Sequence, residues 1–217
     1  MKDDSQLRRD VELALEWDPR VDAREIGVAA KDGVVTLSGH VSTYAEQVCA
    51  EEVTENVQGV RGIANEVEVK LGEAGVRSDT EVAAAAVDAL RRHVGVPSES
   101  VRVVVRDGWV TLEGSVDGMY RRIAAENAVR YLHGVRGLTD LVAIVPRVVV
   151  SDIKTRIEAA FYRHAHLDAK HITVLASDGE VTLSGTVPSW QERKEAERAA
   201  WAAPGVAKVH NRLVVHA

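Results

Sequence analysis

Eight histidines, one cysteine and 33 carboxylates are the side chains of this 217-residue chain most able to do chemistry, and their spacing decides what they could do. Five of the histidines, His164, His166, His171, His210 and His216, fall in the last third. A zinc site needs three or four such ligands converging tetrahedrally. His164 and His166 border a predicted helix while His210 precedes the last predicted strand, so spacing alone does not bring them together, and no metal ligands are assigned. Asp32, Asp107 and Asp178 recur, each before a glycine, where a turn explains them. Pairs such as Glu51 and Glu52 read as solvent-facing helix charge. There is no Gly-x-Ser-x-Gly elbow, Walker loop, dinucleotide fingerprint or His-Glu-x-x-His helix. The expectation is a protein without catalytic residues, metal or cofactor.

Two further groups of residues suggest binding or structure. Trp190, Lys194, Arg198 and Trp201 fall at i, i+4, i+8 and i+11, with Arg193 beside them, so they share one helix face. Aromatic rings flanked by cations suit the surface of an anionic membrane, each cation contributing about 1 kcal/mol. The alternative is that Trp190 packs at the helix start, as Tyr44 and Met119 do at the matching positions. Cys49 lies among Val48, Ala50 and Val53 at helical spacing and reads as a buried thiol. A lone cysteine forms no internal disulfide, which agrees with a reducing compartment.

The elements that must position these groups repeat. Asp32-Gly33-Val34-Val35-Thr36-Leu37-Ser38-Gly39 returns as Asp107-Gly108-Trp109-Val110-Thr111-Leu112-Glu113-Gly114 and as Asp178-Gly179-Glu180-Val181-Thr182-Leu183-Ser184-Gly185. Gly59, Gly134 and Gly205 follow at one offset, then Asn65, Asp140 and Asn211. The copies are 75 residues apart (107 minus 32) and then 71 (178 minus 107), and the difference of four lies in the linkers. The expected division is a first module at 1–71, a flexible linker at 72–79, a second module at 80–146, a short linker at 147–150 and a third module at 151–217.

Within each module the period changes along the chain. Ser5, Thr80 and Ser151 stand before helically spaced apolar residues and are expected to cap a first helix. Alternation then marks a strand through Ile26, Val28 and Ala30, and its counterparts Val101, Val103, Val105 and Ile172, Val174, Ala176. An Asp-Gly turn leads into a second strand, forming a hairpin. A second helix follows, over roughly 43–57, 118–132 and 189–203, with Gly59, Gly134 and Gly205 suited to its C-cap. A last strand closes the module. Gly33, Gly39, Gly108, Gly114, Gly179 and Gly185 complete the turn glycines. The fold class is α+β: three tandem αββαβ modules, each a small three-stranded sheet with two helices on one face.

The other sheet face is uncovered. It should show Ala29, Val34, Glu66 and Glu68 in the first copy, and Leu175, Glu180, Arg212 and Val214 in the third. In the second it shows Val104, Trp109, Leu141 and Ala143, an apolar patch that an isolated domain seldom exposes. This patch is expected to be covered by another module or by a second subunit; the alternative is that Trp109 lies flat on its own sheet.

Composition limits the partners. Residues 1–75 carry 8 basic and 16 acidic side chains, 76–146 carry 9 and 9, and 147–217 carry 10 and 8, giving net charges of −8, 0 and +2. An acidic total argues against nucleic acid, whose affinity comes from a clustered basic face. No apolar stretch spans a membrane, and the polar N-terminus lacks a secretory signal, so the expected location is the cytoplasm, or the periplasm if a leader has been removed.

The pattern Asp-Gly-x-Val-Thr-Leu-x-Gly, then a helix, then Gly-Val and a Val-rich strand resembles the BON domain, and the likeness covers all three copies. The resemblance implies an αββαβ fold with a mixed sheet, no catalytic activity, and a bacterial protein of the osmotic-stress type that binds phospholipid surfaces or other partners. Family members are often exported or lipid-anchored; this chain shows neither an export signal nor a lipobox cysteine. The expected function is weak binding to anionic phospholipid. The alternative is a scaffold or chaperone-like adaptor, with a homo-oligomer among its forms, that uses the apolar face of the second module.

Overall fold

The structure, a computed structural model, describes residues 3–72, 75–146, 152–163 and 171–215. The first module opens with α1 (Asp4–Trp17), whose buried residues Leu7, Val11 and Leu15 repeat at helical spacing. The hairpin β1 (Ile26–Lys31) and β2 (Val34–Val41) follows, then α2 (Tyr44–Glu55) and β3 (Gly62–Val69). In the second module the elements are α3 (Asp79–Arg92), β4 (Val101–Arg106), β5 (Trp109–Val116), α4 (Met119–Arg130) and β6 (Gly137–Ile144). The third has α5 (Ile153–Arg163), β7 (Ile172–Ser177), β8 (Glu180–Val187), α6 (Trp190–Trp201) and β9 (Lys208–Val215).

Each sheet has three strands in sequence order, so the hairpin's second strand is always central. In the first and third modules β1–β2 and β7–β8 are antiparallel while β2–β3 and β8–β9 are parallel, which makes the sheets mixed. The parallel pair requires a crossover, and the intervening helix supplies it. Central-strand residues that point to the helices are sealed: Val35, Leu37, Val110, Leu112, Val181 and Leu183 are all 0% exposed. Burying each such side chain stabilises the fold by about 1.5–3 kcal/mol.

The hairpin turn is a two-residue loop of left-handed residues. Asp32 has φ 52° and Gly33 has φ 80°, and the same pair of signs recurs at Asp107-Gly108 and Asp178-Gly179. This geometry matches the twist of the flanking strands, and Asp-Gly adopts it at low cost. Gly39 is constrained more severely, because a Cβ there would lie 2.0 Å from the Glu25 carbonyl oxygen.

Two expectations about helix ends are corrected. The caps of α1 and α3 are Asp3 and Ser78, two residues before Ser5 and Thr80; Asp3 accepts from the Gln6 N–H and Ser78 closes a capping box with Glu81. Asp and Ser accept equally well at this position, so the residue aligned with the first free N–H takes the role. The corresponding Ser151 lies outside the described residues, as do residues 73–74 of the first linker, the whole of the second linker, and His164, His166 and His216. Gly59, Gly134 and Gly205 do have positive φ. They are not the residues that end the helices, however: α2 ends at the cap Asn56 and α6 at Ala202, each three residues earlier.

The chain forms two compact units, Met1–Gly114 with Ala124–Val142, and Ser115–Ile123 with Ala143–Ala217. Within the first unit, α2 of one module meets α4 and β6 of the next. The Arg130 side chain, only 15% exposed, pairs with Glu126 one turn back and lies 3.6 Å from Glu52 of the first module. The Tyr44 hydroxyl accepts a hydrogen bond from the Leu138 backbone N–H, and burial raises its pKa above 10.0.

Candidate functional site

The cationic face of α6 is divided between two jobs. Arg193 does not face outward: its Nε donates to the Leu213 carbonyl at 3.1 Å and its Nη2 to the Asn211 carbonyl at 3.0 Å, both on the edge strand β9. Its guanidinium also lies over the Trp190 ring, 5.0 Å from the centroid. Trp201 packs against the module core. Both indole N–H groups are buried without a partner, so neither ring turns its polar edge to solvent. Of the five residues, Lys194 and Arg198 are the exposed ones, and Arg198 lies 3.4 Å from Glu195.

Arg193 belongs to a device that the sequence did not disclose. An edge strand carries outward N–H and C=O groups able to pair with another chain. In the third module, Asn211 accepts from the Leu213 N–H at 3.2 Å and donates to Glu197 on α6 at 2.8 Å. In the first, Asn65 accepts from the Val67 N–H and donates to Glu51, while Gln47 donates to the Val67 carbonyl. Helix side chains thus cap the edge of β3 and of β9. In the second module Asp140 still accepts from the Val142 N–H at 2.9 Å, but a carboxylate cannot donate to Glu126, which pairs with Arg130 instead. The readable signal was a glutamate 14 residues before each of Asn65, Asp140 and Asn211 (51, 126 and 197).

The outer sheet faces are open. Trp109 lies against Gly137 of β6, where an added Cβ would meet the ring at 2.4 Å, and its Nε1 donates to Thr139 Oγ1 at 2.8 Å. The ring is thus flat against its own sheet yet 51% exposed, and Leu141 beside it is 60% exposed, so the patch stays open among the described residues. Val104 is half-buried and Ala143 is exposed. In the first module Val34 is 46% exposed and Ala29, Glu66 and Glu68 are exposed. In the third, Leu175 and Val214 are 59% and 58% exposed and Arg212 is exposed. Glu180 there is flanked by Lys208 at 3.8 Å and by His210 at 3.3 Å.

No group of three or more His, Cys, Asp or Glu side chains able to hold a metal occurs among the described residues. Cys49 is buried, and burial pushes its thiol pKa up, away from the reactive thiolate. An open cleft of about 690 Å³ runs beside β7 and β8, bordered by Lys154, Leu175, Asp178 and Glu180, without a convergent donor set. Among the described residues, no helix is long and apolar enough to cross a membrane.

Three copies of a helix-backed mixed sheet, each with its turn glycines in register and one face open, define a tandem array of small α+β modules. The chain belongs to the BON domain family: the family model matches residues 3–70, 78–146 and 150–217. It is similar to the osmotically-inducible protein Y of Escherichia coli (strain K12), with 30% identity over 140 residues, 63% of this chain and 70% of that protein. Among solved structures, CdsD, a structural protein of the type III secretion system of Chlamydia trachomatis, aligns over 97% of this chain and 92% of its own at 14% identity and a TM-score of 0.27. The PrgH periplasmic domain aligns over 90% and 97% at 10% identity and a TM-score of 0.22. Scores this low carry no argument about function.

Proposed function

We propose that this chain is a non-enzymatic, stress-associated binding protein whose partners are other polypeptides, held on the open sheet face of the second module. The observation that carries this reading is the pairing of a 51%-exposed Trp109 with a 60%-exposed Leu141 on a rigid sheet. Contiguous exposed apolar surface on a folded domain is what protein-binding sites present. The stress association rests on similarity to an osmotically-inducible protein, and a cytoplasmic location fits the single buried thiol of Cys49. Binding is tested by the ability of the full chain to suppress aggregation of reduced insulin. Wild type should suppress it and Leu141→Asp should lose most of the effect; equal suppression by both refutes the reading.

A second reading, weak affinity for anionic phospholipid, is favoured by Lys194 and Arg198, which remain exposed on α6 in the one module of net positive charge. Two cations contribute about 2 kcal/mol together at such a surface, so binding is weak and salt-sensitive. Flotation with phosphatidylglycerol vesicles at low salt, lost in a Lys194→Glu/Arg198→Glu variant, supports it. Failure of the full chain to float removes it.

A further inference from the structure

The sheet of the second module has two edges, and side chains of this chain cap one of them. At β6 the Tyr44 hydroxyl accepts from the Leu138 N–H, and Asp140 accepts from the Val142 N–H. β4 forms the other edge, since the strand order is β4-β5-β6. It pairs with β5 over Val101–Arg106, and alternate residues turn their N–H and C=O groups away from that partner. Among the described residues, no hydrogen bond reaches those outward groups. An open edge of this kind can accept an extended peptide as an added strand.

The side chains along this edge define what fits. On the open face β4 presents Arg102, Val104 and Arg106, with Trp109 opposite Arg106. Arg102 and Arg106 are exposed, and among the described residues neither makes an ion pair. The matching residues are Gly27, Ala29 and Lys31 in β1 and Thr173, Leu175 and Ser177 in β7, so only β4 sets an apolar residue between two cations. On the helix side, Val103 and Val105 stay half-buried, whereas Leu112 and Val110 opposite them on β5 are sealed. We infer that the free edge of β4 takes an acidic, extended polypeptide segment as a fourth strand, its carboxylates at alternate positions facing Arg102 and Arg106 with apolar residues between them.

Charge and geometry favour this occupant over a second copy of the chain. Two β4 strands paired antiparallel about Val104 would set Arg102 of each against Arg106 of the other, and like charges directly opposite are destabilising. The charge of −8 on residues 1–75 does not bar an acidic partner. The first module meets β6, two strand spacings or about 10 Å from β4, and charges are screened over about 10 Å at about 0.1 M salt. The edge is also preorganised. Asp79 at the start of α3 accepts from the Asp107 and Gly108 N–H groups at 2.9 Å each, which fixes the hairpin turn and lowers the ordering cost of binding.

This inference rests on the reading of the chain as a polypeptide-binding protein, and the test separates the two. The probe is a fluorescein-labelled peptide, Thr-Asp-Val-Val-Val-Asp-Thr, whose pattern complements β4 in either direction; it is titrated with the full chain and followed by anisotropy. Wild type should bind it, and should bind Thr-Lys-Val-Val-Val-Lys-Thr at least about 10-fold more weakly. A version of the acidic peptide N-methylated at all its backbone amides lacks the donors an added strand needs and should not bind. Arg102→Glu/Arg106→Glu should weaken the acidic peptide about 10- to 100-fold and strengthen the lysine peptide by a similar factor. Both arginines are exposed, so circular dichroism and the urea midpoint should stay unchanged. An acidic peptide left unbound by wild type at about 1 mM, an N-methylated peptide that binds equally well, or equal affinity in the charge-reversed variant overturns the inference. If the peptide stays unbound while Leu141→Asp still loses insulin protection, the edge inference falls and the open-face reading stands. If it binds while wild type and Leu141→Asp protect insulin equally, the open-face reading falls and the edge inference stands.

Discussion

Gly137→Ala tests how the indole of Trp109 is held. Gly137 takes an ordinary backbone angle that any residue adopts, so on backbone grounds alanine should stabilise the fold by about 0.4–1 kcal/mol. The side chain opposes this, because the new Cβ would lie 2.4 Å from Cε3 and Cζ3 of Trp109. Carbon atoms need about 3.5 Å, so the ring must lift by about 1 Å or swing away. Trp109 is 51% exposed, so about 120 Å² of its surface is covered, taking roughly 250 Å² for a tryptophan. Losing half of that cover costs about 1.5 kcal/mol at about 25 cal/mol per Å². Losing the 2.8 Å bond to Thr139 costs about 1 kcal/mol more. The net expectation is a destabilisation of about 1.5–2 kcal/mol in urea denaturation, with Trp109 emission shifted to the red. In a Trp109→Ala background the same substitution should change sign and stabilise by about 0.4–1 kcal/mol. Gly62→Ala, at the matching position of the first module, meets Val34 at an ordinary 3.7 Å and should also stabilise. An equal cost for Gly137→Ala in both backgrounds refutes the reasoning.

Arg130→Ala leaves the partly buried Glu126 without its partner and removes the link to Glu52; urea denaturation should show a loss of about 1–3 kcal/mol, against about 0.5 kcal/mol or less for Glu52→Gln. Tyr44 has a folded pKa above its ordinary 10.0 because burial disfavours the phenolate, so its contribution is full below pH 10 and is lost as pH rises from there through the folded value. Tyr44→Phe should cost about 0.5–1.5 kcal/mol at neutral pH and flatten the alkaline fall in stability measured by urea denaturation across pH. Asn211→Asp keeps the acceptor for Leu213 but sets a carboxylate against Glu197, and should destabilise the third module by about 1–2 kcal/mol in thermal unfolding, partly recovered by Glu197→Gln.

Alternation of apolar residues was enough to place every strand, because one face of each sheet is sealed by helices and a slip of one residue would expose Val35 and Leu37 together. The Asp-Gly turns were equally legible, since few other dipeptides take two left-handed angles in succession. The caps were not. Asp3 and Ser5, or Ser78 and Thr80, are both competent acceptors two residues apart, and only the position of the first free N–H distinguishes them. Strand order was also hidden, because it depends on where the crossover helix sends the chain. Arg193 shows the same gap at the candidate site. Periodicity assigned it to a helix face beside Trp190, but could not show that the carbonyls of β9 lie within its reach.

The three copies agree where the module must hold itself together and differ at positions that reach a neighbouring module or stay open. Asn65 and Asn211 keep the hydrogen bond from edge strand to second helix inside one module. Where Asp140 replaces asparagine, Glu126 turns to Arg130, and that guanidinium reaches across to Glu52, so a single lost donor accompanies the link between two modules. The outer faces follow the same logic in cross-strand pairs. Val34 beside Gly62 needs nothing from its neighbour, Trp109 needs the missing side chain of Gly137 to lie flat, and Glu180 finds its opposite charge in Lys208. Each pair is internally consistent, but only the second leaves a large apolar ring half open on a rigid surface. The register positions where the copies disagree carry the open surface, and the repeated glycines and aliphatic residues supply the platform that holds those positions in place.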